Sequence, residues 1–144
     1  MKAVLDTNVI ISAALVVAGG PSMILQAAKR REFDLVTSES LLDELERVLS
    51  RRRIAGRLGW SGEERSAFLG DVRNRAIVVA PGFAVKRITV DPPDNRVLEA
   101  AVEGRADYIV TGDTDLLDLG QHEGTKIVTP ARFLAILTTE ATNA

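Results

Sequence analysis

The feature that most limits what this chain can fold into is a series of short apolar runs without alternation: Ala3-Val4-Leu5, Leu35-Val36, Ile77-Val78-Val79, Tyr108-Ile109-Val110 and Ile127-Val128. A strand with one wet face alternates apolar and polar residues. An unbroken apolar run signals a strand covered on both faces, as in parallel sheets. Segments with helical spacing and helix-start residues separate the runs, so successive strands are joined by crossover helices. The pattern predicts strands at residues 2–5, 34–37, 76–80, 108–111 and 126–129. Helical segments are expected from Val9 to the break at Gly19-Gly20-Pro21, then from Pro21 to Ala28, and after a cap at Ser38 or Ser40 to about Ser50. Further helices start at Ser61 with Glu63-Glu64, at Asp94 as N-cap running to Glu103, and at Pro130. The expected fold is α/β, a three-layer α/β/α sandwich around a central parallel five-stranded sheet.

A chain of 144 residues with 46% hydrophobic content suits one domain with a real core and is too short for two. Residues 139–144 read as a flexible polar tail. The absence of cysteine excludes disulfides, thiolate nucleophiles and thiolate metal sites, and fits a reducing cytoplasm. The single histidine, His122, lies in the polar loop Gly120-Gln121-His122-Glu123-Gly124 and reads as solvated. No apolar stretch approaches the roughly 20 residues of a membrane span, so neither a leader nor an anchor is expected. A net charge of −2 does not advertise a nucleic-acid partner. Lys and Arg nevertheless gather in residues 29–75, including Lys29-Arg30-Arg31 and Arg51-Arg52-Arg53. Such clusters either attract phosphates or form a solvated helix face.

The chemistry-bearing residues are acids. In an open parallel sheet, ligands bind beyond the carboxyl ends of the strands. Asp6 ends the first strand, Asp113 and Asp115 follow the fourth, and Asp94 opens the helix that leads into the fourth, after Asp91-Pro92-Pro93. If the first and fourth strands are neighbours, these carboxylates converge. Two of them about 4 Å apart repel by roughly 4 kcal/mol at an effective dielectric of 20. A cluster therefore requires shared protons or a cation. Oxygen donors without Cys or a convergent His select Mg²⁺ or Mn²⁺ over Zn²⁺. On the helix from Ser40 to Ser50, Glu44 and Glu46 flank the buried stripe of Leu41, Leu42, Leu45, Val48 and Leu49 on opposite edges. Periodicity does not choose between them.

These residues, in this order, resemble the PIN-domain nucleases: Asp6-Thr7-Asn8 closing a first strand, Ser-Glu-Ser-Leu-Leu-Asp-Glu-Leu from Ser38, Asp-Asn-Arg-Val-Leu-Glu-Ala-Ala from Asp94, and Thr-Gly-Asp-Thr-Asp-Leu-Leu from Thr111. Within that family the chain is most similar to the VapC-like toxin components of toxin–antitoxin pairs. The resemblance implies strand order 3-2-1-4-5 and an Mg²⁺ or Mn²⁺ site of Asp6, Glu44, Asp94 and Asp113, with Asp115 as a further acid. It prefers Glu44 to Glu46 and gives Asn8 and Thr111 the role of orienting ligands or substrate. It implies hydrolysis of RNA phosphodiester bonds in single-stranded or looped regions, leaving a 5′-phosphate. The stretch from Arg51 to Arg75 is where the chain departs most from the family, and the role of Arg51, Arg52 and Arg53 in guiding the backbone is read from their clustered charge. A cognate antitoxin protein and a homodimer are the protein partners it brings with it. Three competing readings follow from the same acids. A phosphoacceptor domain needs a Lys at the carboxyl end of the last strand, whereas Lys126 stands at the other end. A phosphatase with an Asp nucleophile needs Asp-x-Asp after the first strand, where this chain has Asp-Thr-Asn. The third is a non-catalytic PIN-like module that binds RNA or protein.

Overall fold

The computed structural model describes residues 1–82 and 92–143. The first half of the chain runs β1 (Lys2–Leu5), α1 (Thr7–Leu15), α2 (Gly20–Lys29), β2 (Asp34–Ser38), α3 (Glu39–Leu49), α4 (Arg52–Leu58) and α5 (Gly62–Arg75). It continues with β3 (Ile77–Val79), α6 (Pro92–Gly104), β4 (Tyr108–Val110), α7 (Thr114–Leu119), β5 (Gln121–His122), β6 (Thr125–Val128) and α8 (Pro130–Asn143). The sheet order is β3-β2-β1-β4-β6-β5. All pairings are parallel except β5 with β6.

The five expected parallel strands are all present in the expected order, and the sheet is extended by one strand the sequence pattern did not show. The loop around His122 is a hairpin: Glu123 and Gly124 both have positive φ, at 50° and 84°, which turns β5 back onto β6. Positive φ at both central residues matches the twist of a two-residue hairpin, and Gly124 meets that demand without a Cβ clash. His122 is accordingly a half-buried edge-strand residue rather than a loop residue. Two short helices, α4 and α7, were also not expected. Helix α6 begins at Pro92, so Asp94 lies in its first turn instead of capping it. Proline is tolerated there because the first helical N–H groups have no intrahelical partner. Asp91 and the rest of residues 83–91, read as irregular, lie outside the described residues. Helix α8 continues through residues 139–143, which the sequence reading placed in a tail.

The strands explain the layers. Ala3, Leu5, Leu35 and Val110 face one side of the sheet and pack with buried residues of α1, α2, α3 and α8, among them Ile10, Ile24, Leu45 and Phe133. Val4, Val36, Ile109 and Ile127 face the other side and pack with Val97, Leu98, Ala100 and Ala101 of α6 and with Leu116 of α7. Alternate strand residues thus serve two cores, which is why no polar face appears in the sequence. Phe133 is fully buried, with its ring centroid 5.0 Å from that of Phe33 at 88° and 5.8 Å from that of Tyr108 at 61°.

Helix α3 begins where the sequence predicted, with the Ser38 hydroxyl accepting from the Leu41 N–H at 3.3 Å. Helix α5 has a full capping box of Ser61 and Glu64. At the far end of α6, Gly104 touches β2 so closely that a Cβ would lie 2.6 Å from Cγ1 of the fully buried Val36. Gly104→Ala is therefore expected to destabilise the protein by about 1–3 kcal/mol through overpacking. Urea denaturation measures this, and an unchanged midpoint would show that helix and strand separate freely.

Candidate functional site

The chain winds from β1 to β2 and β3 on one side, while β4 and β6 lie on the other, so the crevice beyond the carboxyl ends of β1 and β4 is the switch point of the sheet. Asp6 follows β1 directly, and its N–H donates to the Val110 carbonyl at 3.0 Å. Thr111 follows β4, and its N–H donates to the Val128 carbonyl at 3.0 Å. Both positions prolong the ladder of the sheet, so their side chains leave from rigid backbone. Helix α6 packs on β1, β2 and β4 and brings Asp94, 3% exposed, to the same end.

Side-chain hydrogen bonds knit these elements together. The buried Thr111 hydroxyl donates to Asp6 Oδ2 at 2.8 Å and accepts from the Asp113 N–H at 2.9 Å. Asp113 caps α7, its Oδ1 accepting from the Asp115 N–H at 2.8 Å. Carboxylate oxygens of Asp94, Asp113 and Asp115 lie within 4.8 Å of one another. Glu44, half-buried in the middle of α3, accepts from the Thr7 hydroxyl at 2.8 Å.

Burial is the main force on Asp6 and pushes its carboxyl above the ordinary value. The Thr111 hydrogen bond opposes that shift, the Glu44 charge adds to it, the Thr7 N–H opposes it, and the Asp113 charge adds to it. Asp113 is thus common to both groups, close to Asp94 and Asp115 and felt electrostatically by Asp6. A divalent cation would relieve such a concentration of negative charge. The donors are carboxylate and hydroxyl oxygens, with no cysteine in the chain and His122 on the edge strand. That donor set fits Mg²⁺ or Mn²⁺.

The expected site residues separate into those the fold brings together and those it does not. Asp94, Asp113 and Asp115 meet directly, and Asp6, Glu44 and Thr111 join them through the contacts above. Glu46 is exposed and lines an open cleft with Asp43, Arg47, Ser50 and Arg51, on the other edge of α3 from Glu44. Asn8 is exposed, and its side chain makes no hydrogen bond among the described residues. Arg51, Arg52 and Arg53 are exposed at the start of α4 and form no ion pair among the described residues. The other basic cluster is partly tied down: Lys29 lies 3.5 Å from Asp71 and Arg30 lies 3.9 Å from Glu32. Burial works to raise the Asp71 carboxyl, yet Arg75 and Lys29 together hold it below its ordinary value. Thr7 escaped the sequence reading. Its signal was a hydroxyl at the first helical position directly after the strand-end acid.

A family model described as PIN domain matches residues 2–115. An uncharacterized protein of Methanocaldococcus jannaschii is 33% identical over 122 residues, covering 83% of this chain and 75% of its own length. A crystal structure of a protein from Pyrobaculum aerophilum superposes with a TM-score of 0.65 at 19% identity, covering 96% of this chain and 90% of that one. VapBC2 from Rickettsia felis, solved bound to a DNA fragment from its promoter, contains a chain that superposes with a TM-score of 0.62 at 15% identity. That match covers 90% of this chain and 98% of the other.

Proposed function

The chain belongs to the PIN-domain family, and from that premise we propose that it is a divalent-metal-dependent endoribonuclease whose reaction centre is the acidic group beyond β1 and β4. The observation that carries this reading is the convergence of Asp94, Asp113 and Asp115 within 4.8 Å, beside a buried Asp6 that feels both Asp113 and Glu44. Asp6, Glu44, Asp94 and Asp113 are the residues that would hold Mg²⁺ or Mn²⁺, with Asp115 at the rim. When bound, the ion supplies Lewis acidity toward a phosphodiester and lowers the pKa of water.

The protein's own contribution is positioning. Thr111 fixes the Asp6 carboxylate through its hydroxyl and the Asp113 backbone through the same oxygen. The ladder bonds at Asp6 and Thr111 keep those side chains from drifting, which favours a preformed geometry. Asn8, exposed two residues after Asp6, would orient substrate, and Arg51, Arg52 and Arg53, exposed and without an ion pair among the described residues, are cations of the kind that attract an RNA backbone. No helix among the described residues is long and apolar enough to cross a membrane.

The wider role we propose is that of the toxin in a toxin–antitoxin pair, acting in the cytoplasm with a cognate antitoxin protein and as a homodimer. The PIN fold shared with the Rickettsia felis assembly supports it. The biochemical reading is tested by incubating the purified protein with pooled RNAs in Mg²⁺, in Mn²⁺ and in EDTA. Cleavage to products with 5′-phosphates is expected in either metal and none in EDTA. Cleavage that persists in EDTA would overturn the metal-dependent reading. Binding of RNA without cleavage in any metal would leave the chain a non-catalytic module.

A further inference from the structure

Of the residues around the acidic group, Thr7 does something that neither the sequence pattern nor the family match assigns. It is buried, 4% exposed, at the first position of α1. Its hydroxyl donates to Glu44 Oε2 at 2.8 Å, reaching a residue 37 positions away on another helix. Its N–H favours the charged form of the neighbouring Asp6 carboxylate. One residue therefore serves two of the acids, one through its backbone and one through its side chain.

The chemistry of Glu44 makes that contact consequential. Glutamate has three side-chain torsions, and ordering it costs more rotamer entropy than ordering an aspartate. The strand-end acids leave from backbone held by the sheet, whereas Glu44 reaches across from the middle of α3. A hydroxyl has one proton to donate, so Thr7 holds Oε2 and leaves Oε1 for another partner. We propose that Thr7 is a positioning residue that presets the Glu44 carboxylate for a divalent cation. The inference rests on the metal-dependent reading above and deepens it.

The test is Mn²⁺ binding, measured by calorimetry on the full chain in the absence of RNA. Thr7→Val keeps the β-branched shape and removes the hydroxyl, while Thr7→Ser keeps the hydroxyl. The valine variant is expected to bind Mn²⁺ about 10-fold more weakly, at the lower end of what losing a ligand-orienting partner does. The serine variant is expected to stay within about 3-fold of wild type, which a purely volumetric role for the methyl group would not give. In a Glu44→Gln background, Thr7→Val should add little, because the carboxylate it presets is gone. Wild-type binding by the valine variant would overturn the inference while leaving the metal site standing. The same 10-fold loss in the Glu44→Gln background would overturn it too, by showing that Thr7 acts elsewhere. If the wild-type protein itself binds no Mn²⁺, the metal reading fails and the inference falls with it. Circular dichroism melts of each variant in EDTA separate these losses from unfolding.

Discussion

Asp6→Asn is expected to reduce Mg²⁺-dependent RNA cleavage by about 10³-fold while raising the melting temperature of the metal-free protein. The first effect follows from removing a charged oxygen at the centre of the acidic group, where preorganised electrostatics carries much of a rate enhancement. The second follows from the state of Asp6 without an ion. Burial, with the charges of Glu44 and Asp113 behind it, raises the Asp6 carboxyl above its ordinary value of 3.8 despite the Thr111 hydrogen bond. The folded state therefore binds the Asp6 proton more tightly than the unfolded chain does. The stabilisation from that proton is fully present below the ordinary carboxylate range and lost as pH rises through the raised value. Above that raised value the metal-free protein carries a destabilising charge. Asparagine removes the charge and retains an oxygen for the Thr111 hydroxyl. Thermal melts in EDTA from pH 4 to pH 8 should show the variant's advantage growing with pH and shrinking once Mg²⁺ is added to both proteins. Undiminished cleavage by the variant would sink the nuclease centre proposed for this site.

The second large effect concerns the fold. Phe133→Ala is expected to cost about 3–5 kcal/mol, the range for removing a fully buried aromatic side chain. Phe133 lies beneath the sheet face formed by Ala3, Leu5 and Val110, and its edge-to-face contact with Phe33 ties α8 to the chain entering β2. Losses from the ring contacts add to the cavity term. Guanidinium denaturation measures the difference. Tyr108 at the start of β4 also packs on Phe133, so the ring cluster holds α8 to the amino ends of the strands, at the end of the sheet opposite the acidic group. A loss below about 1 kcal/mol would mean that α8 closes over the gap, at odds with a well-packed core.

The parallel sheet was legible because burial on both faces suppresses alternation, so Val4 and Leu5 read alike although they enter different cores. Strand order needed the family resemblance, since short apolar runs carry no record of their neighbours. Strand β5 has two residues and α7 has six, too few for any periodicity to emerge. Their determinants are instead local: positive φ at Glu123 and Gly124, and the Asp113 cap. At the site, the acids were readable one by one, but the helical wheel left Glu44 and Glu46 equivalent. The contact that distinguishes them comes from Thr7, and the force that perturbs Asp6 comes from tertiary burial. Both are properties of the assembled fold, invisible to spacing along the chain.

The close approach of Gly104 to Val36 has a bearing on the chemistry as well as on stability. Helix α6 spans 13 residues, with Asp94 in its first turn and Gly104 at its last position. At a rise of 1.5 Å per residue, about 15 Å separates the two. The missing side chain lets the distal end of the helix seat fully against β2, so a larger residue there would displace the helix that carries Asp94. A tightly packed interior passes such displacements along a helix with little loss. The spacing of the acidic group is therefore open to adjustment by size changes at a residue remote from all of its acids, an evolutionary route that leaves the acids themselves untouched.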